Sequence, residues 1–339
     1  MDHLSAADQG RLHELSLRYP TQEPVPAALD ALPLDAALEA LFDIGPALAA
    51  LLLRRGAIWV DGARVLEPDA SARAGARLVV HTPPGGSFAD PEVLPEQIVY
   101  EDEDLLAFNK PPGWFSVANP WDALGNLEVA LADFLARRDG VRAPIHLVHR
   151  LDRDTSGLLL VSKNPALNAA FQTIFNERRV EKRYHAWCAG APDWERLDLR
   201  TGHMRGVNGT WQLYPAESIG QAIGPNQRQI KEARTTFRAL ERGAGGIEAA
   251  LVEAELHTGR THQIRLHLAH LGHPVLGDSR YGGLPELAGL ALPHHLLHAA
   301  TLSLPHPGRS ARLELSAPPP PLWSALREAL ARQAAPAGP

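Results

Sequence analysis

The apolar and polar positions change period several times along the chain, and each change marks an element. Residues 1–33 show no sustained periodicity and contain Pro20, Pro24 and Pro26, which predicts an irregular lead-in. From Asp35 to Gly56, DAALEALFDIGPALAALLLRRG carries apolar residues at helical spacing and breaks at Gly45-Pro46, so two short helices are expected. AIWVDGARV sets Asp61-Gly62 between β-branched and aromatic residues, the composition of a two-residue hairpin turn. ARLVVHTP closes this unit as a further strand, and the Pro- and Gly-rich run from Pro83 to Pro95 is the linker candidate.

Beyond the linker the texture shifts toward strands. QIVYEDEDLLAFNKPPG reads as two strands joined by an acidic turn, and residues 125–138 carry a helical pattern. A continuous apolar strand runs from Gly157 to Val161. Asn164 and Pro165 then offer a cap and first position for a helix whose Leu167, Phe171, Ile174 and Phe175 share a face. RYHAWCAG and ALVEAELHTGR are strands, with short strands and loops expected over 195–245. Thr261–Leu271 suits a helix stopped by Gly272 and Pro274, and Pro318–Pro321 ends the last strand before a short helix. Hairpin-like pairs outnumber strand–helix–strand units, which predicts an α+β fold with a mixed, mainly antiparallel sheet and a small N-terminal α/β domain. The expected divisions are an irregular segment 1–33, a small domain 34–82, a linker 83–96, a main domain 97–325 and a tail 326–339.

Composition narrows the class. The single cysteine, Cys188, excludes an internal disulfide framework and any zinc site with several cysteines. No secretory signal is visible and no apolar run reaches membrane-spanning length, so a cytoplasmic, membrane-independent monomer is the default expectation. The net charge of −6 argues against a nucleic-acid partner, but its distribution does not. Residues 1–110 hold 18 acidic against 8 basic groups, whereas 141–190 hold 8 basic against 4 acidic. A local phosphate-binding face on an acidic body is therefore permitted.

The chemistry concentrates in HRLDRDTSGLLLVSK, residues 149–163, where charged groups stand directly before a strand that must be buried. A solvated turn accounts for Arg153 and Asp154. It does not account for Arg150 and Asp152, which alternation places on one side of the chain. Asp152-Arg153-Asp154-Thr155 also has the spacing of an aspartyl-phosphate motif, but no paired acidic motif follows to complete a Mg²⁺ site. The histidines of HTGRTHQIRLHLAHLGHP lack an interleaved acidic residue and are assigned to capping or core roles, so no metal is expected.

NKPPG, HRLDRDTSGLLLVSK, KRYHAWCAG, TGRTHQIRLHLAHLGHPVLGDSRYG and LHAATLSLPHP, in this order, resemble the pseudouridine synthases of the RluA type, the ribosomal large-subunit and tRNA branch. The likeness covers roughly residues 97–320 and implies the pseudouridine synthase fold for the main domain. It implies cofactor-free isomerisation of a specific uridine in structured RNA, rRNA or tRNA, with the base flipped out. By position, Asp152 would be the catalytic carboxylate, Tyr184 would lie against the uracil, and Arg265 would pair with Asp152. Arg150 would hold the target nucleotide out of its stack. Lys110, Arg153, Arg178, Arg179, Lys182 and Arg183 would contact RNA, with a scaffold role left open for Lys110. Residues 34–82 resemble the small RNA-binding domain named after ribosomal protein S four, with only Arg54 and Arg55 kept on the binding helix. The competing reading from another class is an RNA-binding or ribosome-assembly factor with a dead site. Whether Asp152 attacks the sugar, attacks the base or removes a sugar proton is left open.

Overall fold

The computed structural model describes residues 4–67, 70–206, 210–224, 226–242 and 249–334. The chain forms two compact units, Met1–Val93 with Trp114–Arg142, and Leu94–Gly113 with Ala143–Pro339.

In the first unit the lead-in is ordered, contrary to expectation. Helix α1, Ala6–Leu17, is capped by the Ser5 hydroxyl accepting from the Asp8 amide (3.1 Å) and buries Leu12 and Leu15. Strand β1, Thr21–Pro24, lies at the edge of a four-stranded sheet, where a proline leaves no ladder bond missing inside the sheet. Helices α2 (Leu34–Phe42) and α3 (Pro46–Arg54) break where expected, with Gly45 as the cap and Pro46 in the first turn. Strands β2 (Ile58–Val60) and β3 (Ala63–Arg64) are joined by Asp61 and Gly62 at φ 49° and 81°, the left-handed pair a type I′ turn requires. Strand β4 (Arg77–Val80) completes the order β1-β4-β2-β3 over a core that includes Leu38, Leu48, Leu52 and Leu78.

Residues 114–142 join this unit rather than a continuous domain starting at 97. The Trp59 indole donates to the Pro120 carbonyl (2.9 Å), Arg64 donates to the Asn119 carbonyl (2.5 Å), and Arg55 pairs with Asp122 (3.4 Å). Local pattern does not show such long-range polar ties. Helix α4, Leu127–Asp139, falls in this segment and is capped by Asn126. Arg55 also pairs with Asp90 (2.5 Å), so it is occupied within its own unit.

The second unit is built on an eleven-stranded sheet. Its strands begin with β5 (Ile98–Glu101), β6 (Leu105–Lys110), β7 (His146–Leu147), β8 (Ser156–Ser162) and β9 (Glu181–Ala189). They continue with β10 (Arg196–Arg205) and β11 (Trp211–Tyr214); β12 (Ala222–Ile223) and β13 (Arg228–Gln229) form a separate pair. Next come β14 (Lys231–Arg242) and β15 (Ala249–Leu256), the small pair β16 (Glu286–Leu287) and β17 (Leu290–Ala291), then β18 (Leu297–Pro305) and β19 (Arg312–Ser316). The order is β11-β10-β14-β15-β9-β18-β8-β6-β5, with β19 on β18 and β7 on β8. Among the described residues only the β8–β18 strand pairing of this sheet is parallel. The sheet is thus mixed and mainly antiparallel, as the pattern predicted.

Two expectations are corrected here. Residues 195–245 hold two long strands, β10 of 10 residues and β14 of 12, beside the short β11, β12 and β13 that were expected. Buried Ala233, Thr235 and Phe237 alternate with outward Arg234 and Arg238, and the arginines disguise a core strand. The expected tail is also largely structured, because helix α7, Pro321–Ala334, packs Trp323, Leu326 and Leu330 against Trp187, Leu251 and Leu296. Helices α5 (Asn168–Asn176) and α6 (Gln263–His270) complete the unit.

Candidate active site

Asp152 lies in the turn that feeds β8, where the Thr155 amide donates to its carbonyl (3.2 Å). That turn is clamped from below. Lys110, at the end of β6, is fully buried, and its ammonium donates to the carbonyls of Pro111 (2.9 Å) and Arg153 (2.7 Å). The Gly113 amide donates to the same Arg153 carbonyl (3.0 Å). Burial pulls the Lys110 pKa down to about 7, against the opposing charges of Asp154 and Asp152. Lys110 is therefore removed from the RNA contacts, since a side chain with no exposed surface reaches no phosphate; it is scaffold. Behind the turn, the Thr155 hydroxyl meets His295 (2.9 Å), and Ser156 meets His298 (2.9 Å), so the buried polar groups beneath the site are satisfied.

Helix α6 supplies the cation. Its start is fixed by Gln263, whose buried amide donates to the Thr235 hydroxyl (2.8 Å) and the Arg234 carbonyl (3.0 Å). The same side chain accepts from the Thr258 hydroxyl (2.8 Å) and the Arg260 amide (3.0 Å). With its first turn held on four sides, α6 aims Arg265 at Asp152, and Nη1 lies 3.4 Å from Oδ2. The expected pairing is present, but Arg265 has a tighter partner. Its Nε and Nη2 donate to the two carboxylate oxygens of Asp278 at 2.6 and 2.8 Å, a two-point grip in a site where Asp278 is 1% exposed. Burial works against ionisation of Asp278, yet the Arg265 bonds outweigh it and leave its pKa below the ordinary carboxylate value.

Tyr184, on β9, is buried, and burial together with the Asp152 charge raises its pKa, so the hydroxyl stays protonated. His262 precedes α6 in a left-handed conformation (φ 57°), with Nδ1 2.8 Å from the Tyr281 hydroxyl and Nε2 3.8 Å from Asp152 Oδ2. The Arg265 guanidinium lies over the Tyr281 ring, 5.0 Å from its centre. Asp278, His262 and Tyr281 were absent from the expected site. A signal was present in GDSRYG, taken only as part of the family motif, although it sets an acid and a phenol within one turn.

The other expected RNA contacts are distributed unevenly. Arg150 is exposed, and its side chain makes no hydrogen bond or ion pair among the described residues. Arg183 is exposed as well, whereas Lys182 is partly buried and its pKa is lowered by burial first and by Arg178 second. Arg153 grips Asp154 (2.8 Å), Arg178 faces Glu232 (3.6 Å) and Arg179 faces Glu177 (3.4 Å).

The buried Arg265 pairs with Asp152, the contact the sequence resemblance implied, and also with Asp278, which the resemblance did not include. The family model for RNA pseudouridylate synthase matches residues 104–270. RNA pseudouridine synthase 1 of Arabidopsis thaliana is 33% identical over 259 residues, spanning 68% of this chain and 76% of the relative. Ribosomal large subunit pseudouridine synthase D of Pasteurella multocida is 33% identical over 311 residues, spanning 88% and 90%. The chain belongs to the RluA-type RNA pseudouridine synthases. The fold agrees: human RNA pseudouridylate synthase domain containing 4 superposes with a TM-score of 0.57 at 23% identity, over 70% of this chain and 93% of that one. This pseudouridine synthase is accordingly an isomerase that converts uridine to pseudouridine in RNA. Among the described residues no single helix is long and apolar enough to cross a membrane.

Proposed function

We propose that the enzyme modifies a uridine of large-subunit ribosomal RNA, with Asp152 as the catalytic carboxylate. The rRNA assignment rests on the likeness to the Pasteurella multocida large-subunit enzyme, which extends over 88% of the chain. The enzyme acts as a cytoplasmic monomer without a cofactor, because the reaction breaks the C1′–N1 bond, turns the base and rejoins it through C5 with no net redox change.

One observation carries the catalytic assignment. The Asp152 carboxylate keeps 28% exposure while Arg265 holds it from the buried side, so an anion is presented at an open edge. Arg265 stabilises that anion, and its own charge is balanced by Asp278. Tyr184 offers a flat apolar ring for the extruded uracil and a hydroxyl near the carboxylate for proton traffic at C5. The Arg150 side chain, free of protein partners among the described residues, replaces the flipped nucleotide in the stack. Arg153, Arg178, Arg179, Lys182 and Arg183 line up phosphates.

The test is a strain lacking the gene, complemented with wild type or with Asp152→Asn, in which pseudouridine is mapped in rRNA and tRNA. Wild type restores one or more rRNA sites and the variant restores none. Restoration in tRNA alone overturns the substrate assignment, and restoration by Asp152→Asn overturns the catalytic one.

A further inference from the structure

Resting on that reading of the Asp152 pocket, we infer that His262 donates an N–H from Nε2 to a carbonyl oxygen of the departing uracil, and that Tyr281 fixes the tautomer that makes this possible. The argument begins with an unspent donor. His262 Nδ1 is 2.8 Å from the Tyr281 hydroxyl, but Nε2 lies 3.8 Å from Asp152 Oδ2, beyond hydrogen-bond range. No other hydrogen bond to Nε2 exists among the described residues, and the ring keeps 14% exposure beside the exposed edge of Asp152.

Electrostatics selects the tautomer. A lone pair on Nε2 facing a carboxylate would be repelled, whereas an N–H there is attracted; Nδ1 then carries the lone pair and accepts from the Tyr281 hydroxyl. Burial first, with the charges of Arg265 and Arg280, outweighs the opposing carboxylates of Asp152 and Asp278 and lowers the His262 pKa to about 4, so the ring is neutral at working pH. The backbone commits to this placement as well. A non-glycine residue at φ 57° is strained, and its carbonyl accepts the Leu266 amide (2.9 Å) as α6 begins.

The reaction supplies a use for such a donor. When C1′–N1 breaks, the electron pair goes to the base, and the negative charge spreads onto O2 and O4. A neutral imidazole N–H held at that place stabilises the developing charge without surrendering a proton, the kind of task neutral histidines perform at other carbonyl sites. Asp152 balances the sugar side, its carboxylate either bonding to C1′ or taking the C2′ proton, and His262 faces the negative charge left on the base.

Two substitutions separate the two ring nitrogens. In His262→Asn the side-chain amide occupies the Nδ1 region, tolerates the left-handed backbone and loses the reach of Nε2. In His262→Gln the amide reaches the Nε2 region. Both are assayed by single-turnover consumption of the target nucleotide in an unmodified large-subunit rRNA transcript made with uridine or with 5-fluorouridine, alongside Asp152→Asn. Fluorine stabilises the uracil anion, so a lost stabilising donor matters less on the fluorinated RNA. His262→Asn lowers the uridine rate about 100-fold with KM within about threefold of wild type, and the deficit shrinks at least about fivefold with 5-fluorouridine. His262→Gln recovers part of the rate, and Tyr281→Phe loses less than His262→Asn. Equal deficits on both RNAs, a full rate in His262→Asn, or no advantage of Gln over Asn overturns the inference. If Asp152→Asn also turns over, the pocket reading falls and takes this one with it; if Asp152→Asn is inert while His262→Asn is fully active, only the role of His262 falls.

Discussion

At the scale of single residues, the site depends on how one guanidinium divides its donors. Arg265 gives Nε and Nη2 to Asp278 and keeps Nη1 for Asp152, so Asp278 decides where the third donor points. Asp278→Asn keeps the shape and removes the charge. Arg265, 7% exposed, would then turn toward Asp152 and draw the carboxylate from its working position. The expected result is a rate loss of at least tenfold and a stability loss of about 3 kcal/mol, the size seen when a buried pair loses one member. Unfolding in urea and single-turnover rates measure both. If Asp278 acts through Arg265, the double variant with Arg265→Met is no slower than Arg265→Met alone, and an additive loss would refute that route. Asp152, Tyr184 and Arg265 were expected through the family resemblance, whose motifs are contiguous runs of sequence. Asp278 was not, because 13 residues and a turn separate it from its partner. Lys110 misled for a related reason: a lysine in a Pro-Pro-Gly turn is ordinarily exposed, and only the fold shows the carbonyls that receive its protons.

At the scale of elements, the loop carrying Asp152 is set by a crowded crossing of strands. Gly157 opens β8 at φ 105°, and a Cβ there would lie 2.3 Å from the Ala299 carbonyl oxygen of β18. The parallel β8–β18 pairing is made at this point, Gly157 opposite Ala299, so the site loop and β18 share a contact with no room for a methyl group. Gly157→Ala is therefore expected to lose more than about 3 kcal/mol through combined strain and overlap. A melting temperature within about 2 °C of wild type would show that the two strands can separate without harm. The apolar run of β8, the Asp61-Gly62 turn and the Gly45-Pro46 helix break were readable because each is a local preference. The length of β10 and β14 was not, since cross-strand ion pairs such as Arg234–Asp198 (2.5 Å) and Arg200–Glu232 (2.7 Å) neutralise a surface that looks loop-like in one dimension. Helix α1 escaped for another reason: over its 12 residues only Leu12 and Leu15 are buried, too few apolar positions to show a period.

At the scale of the whole molecule, the second unit stores an acid sensitivity in its buried histidines. Burial is the leading cause that lowers His149, His295 and His298 to about 4 and His267 to about 3, from an ordinary 6.5. Each is held by neutral partners: His267 lies 3.0 Å from the hydroxyls of both Thr201 and Thr235, and His298 lies 3.0 Å from the Ala317 carbonyl. For a base whose folded value lies below its unfolded value, the unfolded chain takes up protons first. Stability is therefore full above pH 6.5 and is lost as pH falls toward 4, at about 1.4 kcal/mol per pH unit for each group once the unfolded histidine is protonated. Carboxylates do not mimic this window, because Asp102, lowered to about 2 where backbone and side-chain hydrogen bonds outweigh its burial, contributes its loss only below its ordinary 3.8. Four such histidines together remove about 5.5 kcal/mol by pH 5.5, a large share of the 5–15 kcal/mol that holds a typical domain. The melting temperature should accordingly fall by about 10 °C between pH 7.5 and pH 5.5, and a flat profile over that interval would mean these rings are solvated or already charged in the fold.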